Sequence, residues 1–324
     1  MTATLEIDTI GDDAALRALE PEWWELWWQC PDATPFQSPA WLLPWRRHFR
    51  AGDLVVLTLR RAGRLTGFLP LFHYGGAPEP RLLPLGAGNT DYLDGLFTPD
   101  AGRREVAALI NRLAPWHAVD LPQLPPSSSL LDVPVPAGWI DQRFPEIPCP
   151  ILPLPASLPR RMAQNLRYYR RRAERAGTLR FETAVPDRVL LLLENLVRLH
   201  GARWSAKGGS GVLADATTGR FHRYATLALA AAGLLRLHAL HLDDRIVAVL
   251  YGMQAKGRAY YYLSGYDPEF SHLGLGTLIV GHAIDAATLE GAREFDFLRG
   301  AEAYKYHWGA HDRAAECRLL RYAP

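Results

Sequence analysis

Eleven prolines fall between residues 122 and 159. Proline fixes φ and removes a backbone donor, so no long regular element is expected across this stretch. It divides a chain of 324 residues, too long for one small domain and comfortable for two of about 150 each. The predicted organisation is a domain at 1–150 and a second at 151–324, with the connection at about 145–157.

Composition narrows the class. The chain is 48% hydrophobic and 22% charged, with 10 Trp, so it can bury a core and wholesale disorder is excluded. No window approaches 18 uninterrupted apolar residues, so no membrane span and no stable membrane insertion are expected. The start MTATLEIDTIGDD lacks a basic run followed by an apolar one, and a cytoplasmic location is the expectation. Cys30, Cys149 and Cys317 are too few and scattered for a disulfide framework or thiolate metal site. The histidines form no short-range zinc motif, so no metal is expected. A net charge of +2 says nothing by itself about nucleic acid.

In the first half, Trp23, Trp24, Trp27, Trp28, Trp41 and Trp45 crowd one segment. Trp24, Trp27 and Trp28 share a helical face with Trp23 beside it, which reads as an amphipathic helix docked on a core, with an aromatic substrate wall as the sharper alternative. Ser38-Pro39 reads as a helix start. Leu54–Leu59 and Leu65–Phe72 flank the turn RRAGR as a hairpin. A helix at 103–114 then leads to a strand at Ala118–Leu121.

The second half opens on a basic helix at 158–176, with seven arginines and one acid, Glu174. Met162, Leu166, Tyr169 and Ala173 make its apolar stripe. Arg167, Arg171 and Arg175 stand four apart on another face, where like charges repel unless a polyanion relieves them. Helices at 187–203 and 218–232 and strands at 234–242, 245–254 and 258–264 follow. Both halves run hairpin, helix, short strand (VDL at 119–121, FDF at 295–297), so the chain reads as tandem related domains. The first, lacking the glycine-rich turn, reads as the degenerate partner.

The informative unit is strand 258–264, loop 265–276, helix 277–290 and strand 294–298. HLGLGT, His272 to Thr277, lies where strand hands over to helix. Gly274 and Gly276 let the backbone turn tightly and approach a ligand. The amides of the first helical turn then favour an anion, a diphosphate being the natural guest. The run is neither a P-loop nor a GxGxxG fingerprint, and by itself is a simple turn-and-cap.

The run Arg258–Gly309, with YYYLSGYDPEF and FDFLRG followed by YK and WG, resembles the BioF2-like, or CelD/BcsL-type, acetyltransferases of the GNAT superfamily. PFQSPAW (Pro35–Trp41), the basic helix and HGARWSAKG (His200–Gly208) extend the resemblance over roughly residues 30–320. It implies an α+β fold of tandem GNAT-like domains, akin to the Fem-type aminoacyl transferases. It also implies acetyl-CoA or another acyl-CoA laid between splaying strands 258–264 and 294–298. The donor contacts so implied are Leu263, Ser264, His272, Leu273, Gly274, Leu275, Gly276 and Thr277. One departure stands out: the superfamily's phosphate loop begins with Gln or Arg three residues before its first Gly, and here that residue is Ser271.

The implied reaction is direct attack of an amine on a thioester, with Leu263 amides as oxyanion donors. Candidate catalytic residues are Asp296 and Asp267 as bases, Lys305 (one of only three lysines) for developing charge, and Tyr304 for the leaving thiolate. Trp204, Lys207, Tyr262, Arg299 and Glu302 are candidate contacts for a small-molecule amine or an envelope or polysaccharide precursor. The basic helix leaves an acyl carrier protein or aminoacyl-tRNA open as donor. A catalytically inactive binding protein of the same fold is the alternative from another class.

Overall fold

The computed structural model describes residues 5–76, 79–206 and 208–323. Two compact units divide the chain, residues 1–148 with 313–324, and residues 149–312.

The first unit runs β1 (Leu5–Ile10), α1 (Asp13–Ala18), α2 (Glu20–Gln29), α3 (Pro39–Phe49), β2 (Asp53–Arg61), β3 (Arg64–Tyr74), β4 (Arg81–Pro84), β5 (Leu96–Phe97), α4 (Arg103–Asn111), β6 (Ala118–Leu124) and β7 (Trp139–Pro145). The predicted hairpin is β2–β3, antiparallel from Asp53–His73 to Arg61–Arg64. Pro39 opens α3, as the Ser-Pro pair predicts.

The tryptophans are core. Trp23 and Trp27 are fully buried, and their indole N–H groups donate to Gln37 O at 2.9 Å and Thr34 O at 2.8 Å. Trp41 donates to Thr90 Oγ1 and Trp45 to Asn89 Oδ1. A buried indole must find an acceptor, and the turn at 34–37 supplies two. That requirement corrects the predicted face. Trp23, Leu26 and Trp27 point inward, while Trp28 is exposed.

The second unit runs β8 (Cys149–Pro153), α5 (Arg160–Glu174), β9 (Leu179–Thr183), α6 (Val189–Ser205), α7 (Ala216–Ala231), β10 (Leu235–Leu242), β11 (Arg245–Ala255), β12 (Arg258–Tyr266), a 3-10 turn at Pro268–Leu273, α8 (Leu275–Leu289), β13 (Glu294–Asp296), α9 (Ala303–Tyr306) and β14 (His311–Arg313). Its sheet order is β14-β8-β13-β12-β11-β10-β9. α8 packs on β10, β11 and β12, and its apolar residues join Met162 and Ala173 of α5 in one core. Leu166 and Tyr169 pack on the same core, so the predicted stripe of α5 is its inner face.

The last strand, β15 (Glu316–Tyr322), returns to the first unit. It inserts between β6 and β7 and gives the order β1-β2-β3-β4-β6-β15-β7, with β5 on β3. Arg318, with no exposed surface, forks onto Asp141 at 2.9 and 2.8 Å and donates to the carbonyls of Leu130 and Val133. The predicted second domain therefore stops at about 312 rather than 324. The pairing of a distant strand cannot be read from the local pattern of RLLRY.

The two units repeat one plan. Antiparallel strands lead to a parallel joint, β4 with β6 and β12 with β13. A helix lies in each crossover, α4 and α8. An antiparallel strand from elsewhere in the chain then flanks the joint, β15 on β6 and β8 on β13. Among the described residues, no helix is long and apolar enough to cross a membrane.

Candidate active site

β12 and β13 pair in parallel over only three positions, Arg258–Glu294, Ala259–Phe295 and Tyr260–Asp296. β12 then continues to Tyr266, while the chain after Asp296 turns away: Phe297 N–H bonds Pro150 O at 2.8 Å, and Leu298 is left-handed with φ 57°. The two strands so part company beyond Tyr260. At the same place the β11–β12 register slips. Tyr251 faces Leu263 and Gly252 faces Tyr261, so Tyr262 is an extra, bulged residue. A bulge bends its strand and re-aims side chains. Tyr262 meets His222 and Tyr251, with ring centroids 5.5 and 5.4 Å away. Tyr261 lies against Phe297, and its hydroxyl is 2.6 Å from Ser264 Oγ. Leu263 is half-buried beside them.

The loop after β12 is held by Asp267, whose carboxylate accepts from Glu269 N at 3.1 Å and from Arg245 at 2.6 Å. The 3-10 turn ends at Gly274, left-handed at φ 65°. A β-carbon there would lie 2.4 Å from the ring of Tyr169 of α5. Glycine thus serves both the turn and the close approach of α5. Thr277 and Leu278 N–H both bond Gly274 O, leaving the amides of Leu275 and Gly276 at the head of α8. Leu273 and Leu275 are buried and anchor this turn, whereas His272 is exposed. No arginine or glutamine stands in the loop itself. The arginines set against it come from other elements, Arg245 of β11 over the Phe270 ring and Arg203 of α6 over the Tyr266 ring.

Beyond β13, Asp296 is fully buried, and its Oδ1 accepts from Leu298 N at 2.7 Å. Lys305, 2% exposed, donates to the carbonyls of Leu298, Arg299 and Gly300 at 2.9, 3.1 and 3.0 Å, and meets Glu302 at 2.9 Å. Three donors meet four acceptors, so this ammonium is saturated within its own loop. Lys305, Asp296 and Asp267, the candidate anion stabiliser and bases, thus all have partners that fix backbone. Arg299 is exposed, its carbonyl facing Lys305.

Tyr304 is partly exposed and lies against Tyr261; burial first, and then Tyr261, hold its phenol well above the ordinary range. Tyr261 is likewise pushed up by burial. Tyr261 and Tyr304 therefore stay protonated at neutral pH, in one cluster with the Ser264 hydroxyl at the parting strands. Trp204 ends α6 at the rim, 41% exposed. Lys207 lies outside the described residues.

Sequence reasoning missed the role of His200 and the contact of Tyr169 with Gly274, and it left open which of Tyr260, Tyr261 and Tyr262 lines the cleft. The run YYYL hides the bulge, because three identical residues carry no phase. Among the described residues no group of three or more metal-ligating side chains is found.

Residues 160–306 match the family model described as an acetyltransferase (GNAT) domain. A comparison with curated proteins finds no match. Among solved structures, FemX is similar with a TM-score of 0.67 and 13% identity, over 97% of this chain and 96% of that one. The C-terminal domain of a putative lysylphosphatidylglycerol synthetase from Agrobacterium fabrum gives 0.61 and 13%, over 95% and 92%. A protein of unknown function from Bacteroides thetaiotaomicron gives 0.62 and 15%, over 98% and 100%. At these identities the likeness is one of fold.

Proposed function

With residues 160–306 forming a GNAT-type acetyltransferase domain, we propose that the chain moves an acyl group from acyl-CoA to the amine of a small molecule or an envelope or polysaccharide precursor. The observation that carries this reading is the parting of β12 from β13 beside the bulge at Tyr262. A parted strand pair exposes backbone donors to a thioester, and the head of α8 takes its diphosphate.

In the reaction the amine nitrogen attacks the thioester carbonyl, the C–N bond forms and the C–S bond breaks. Leu263, just past the bulge, offers its N–H to the carbonyl oxygen. Tyr304, a protonated phenol at neutral pH, donates to the departing sulfur, with Tyr261 and Ser264 behind it as a hydroxyl relay. The amine's surplus proton leaves at the exposed rim, where Glu302 stands. Gly274 and Gly276 hold the diphosphate against the leading amides, with His272 at the solvent side.

Calorimetric titration with acetyl-CoA, with desulfo and long-chain analogues beside it, tests the donor. Micromolar binding with an acyl preference is expected. No heat with any of them in folded protein overturns the reading.

One observation favours a second donor. Arg167, Arg171 and Arg175 are exposed on α5 with no acidic partner among the described residues, around an open groove that Tyr168 also lines. An aminoacyl-tRNA or an acyl carrier protein meets that charge. The tRNA form predicts binding that weakens steeply with salt, with Arg167→Ala and Arg171→Ala each lowering the slope by about one. Salt-insensitive binding sinks it.

A further inference from the structure

His200 lies near the C-terminal end of α6, with 4% of its surface exposed. α6 crosses β12 so closely that a β-carbon at Gly265 would come 2.5 Å from His200 N. The imidazole is thereby pinned beside the strand that carries the bulge. His222, near enough that His200 helps lower its pKa, joins it to the ring of Tyr262.

One helical turn on, Trp204 Nε1–H donates to His200 Nε2 at 3.0 Å. An indole only donates, so Nε2 must supply the lone pair, and a neutral imidazole then carries its proton on Nδ1. Burial, and then Arg203, lower the His200 pKa, which keeps the ring neutral at neutral pH. Nδ1 is buried and has no hydrogen-bond partner among the described residues.

Above it lies Gly211, left-handed at φ 71°. A β-carbon there would fall 2.6 Å from His200 Cε1 and 2.8 Å from both His200 Nδ1 and Trp204 Cδ1. The roof over the ring therefore has to be glycine. A fixed tautomer, a fitted roof and an unmet donor occur together at one edge of the parted strands. Buried donors are rarely left unmet unless something outside the chain meets them.

We infer that His200 Nδ1–H receives a hydrogen-bond-accepting oxygen of the acceptor substrate, carried close to its nucleophilic amine. This rests on the acyl-transfer reading of the same unit. The acceptor class is then an amine bearing a neighbouring hydroxyl or carboxylate, as in amino sugars and amino acids. An apolar amine of equal size leaves the donor unmet and is refused. His200 is a binding residue here and not the base, because both ring nitrogens are already committed.

Nitrogen NMR of the full-length protein tests this with D-glucosamine, β-alanine and cyclohexylamine as probes. The expected result is a proton on Nδ1 whose resonance moves with glucosamine or β-alanine. The carboxylate probe alone should also raise the His200 pKa, which separates the two oxygen sources. Wild type and His200→Asn, which keeps a donor near the Nδ1 position, should prefer that probe over cyclohexylamine by about tenfold. His200→Leu should lose the preference while melting no lower than wild type.

A proton on Nε2, an Nδ1 resonance unmoved by all three probes, or a preference surviving in His200→Leu overturns the inference. So does a sharp fall in melting temperature for both variants, which marks a structural role. Thiol release from acetyl-CoA on the same samples reports separately. A moved Nδ1 resonance without thiol release spares the inference and sinks the transferase reading.

Discussion

Asp296 and Lys305 grip the same peptide residue from opposite sides. The carboxylate takes Leu298 N–H at 2.7 Å and the ammonium takes Leu298 C=O at 2.9 Å. Between them they fix a non-glycine residue in the left-handed region at φ 57°, which L-residues adopt only at a cost. Asp296→Asn keeps an oxygen for that N–H. Its acyl-transfer rate should stay within about threefold of wild type, whereas a loss near the 10²–10⁴-fold expected for a missing general base would restore the catalytic reading. Lys305→Met leaves three carbonyls and Glu302 without their cation and should cost about 3 kcal/mol in a urea melt.

Gly274 should not tolerate a side chain. Gly274→Ala drives a methyl into the Tyr169 ring and holds alanine at φ 65°. Tyr169→Ala in the same chain should recover the clash but not the backbone cost of about 1–2 kcal/mol. Full recovery in the double variant, read by thermal melting, would show that the contact alone requires glycine.

Glu182 makes the fold acid-sensitive. Arg188 chiefly, and His241 after it, hold its carboxyl down to about 2 from 4.5. A depressed folded-state pKa contributes stability above the unfolded value and loses it as pH falls between the two. The gap in melting temperature between wild type and Glu182→Gln should therefore close between about pH 4.5 and 2. A gap independent of pH contradicts this.

Asp94 acts with the opposite sign. Burial pushes its carboxyl up to about 7 from 3.8, against the pull of the Ser128 hydroxyl and Gly95 N–H. The stability it allows is complete below 3.8 and lost as pH rises to 7. Asp94→Asn should match wild type at pH 4 and be the more stable at pH 8. Equal stability at pH 8 would mean the carboxylate is already compensated.

Much of the second unit could be read in its sequence. Hydrophobic period marked α5 and α6, and turn residues marked β10 to β12. Gly274 marked the strand-to-helix turn because a left-handed position asks for glycine. Side-chain roles were less legible. Lys305 is rare in composition, which drew attention to it as chemistry, yet its partners are carbonyls, and no sequence pattern displays carbonyls. His200 was passed over because its neighbours are one turn along the helix at Trp204 and across a loop at Gly211. The first unit hid its own completion, since Arg318 meets Asp141 only across 177 positions of chain.

That last strand has a consequence for synthesis. β15 occupies an interior place in the sheet of the first unit, yet it is made only after the whole second unit. Domains usually fold in the order they leave the ribosome. Here the N-terminal unit must wait, its β6 and β7 unjoined, until residues 316–322 have been made, while residues 149–312 can close first. A nascent chain arrested before residue 316 should then expose the edges that bind chaperones, and a frameshift within the codons for Glu316–Tyr322 should unfold the unit that was translated first.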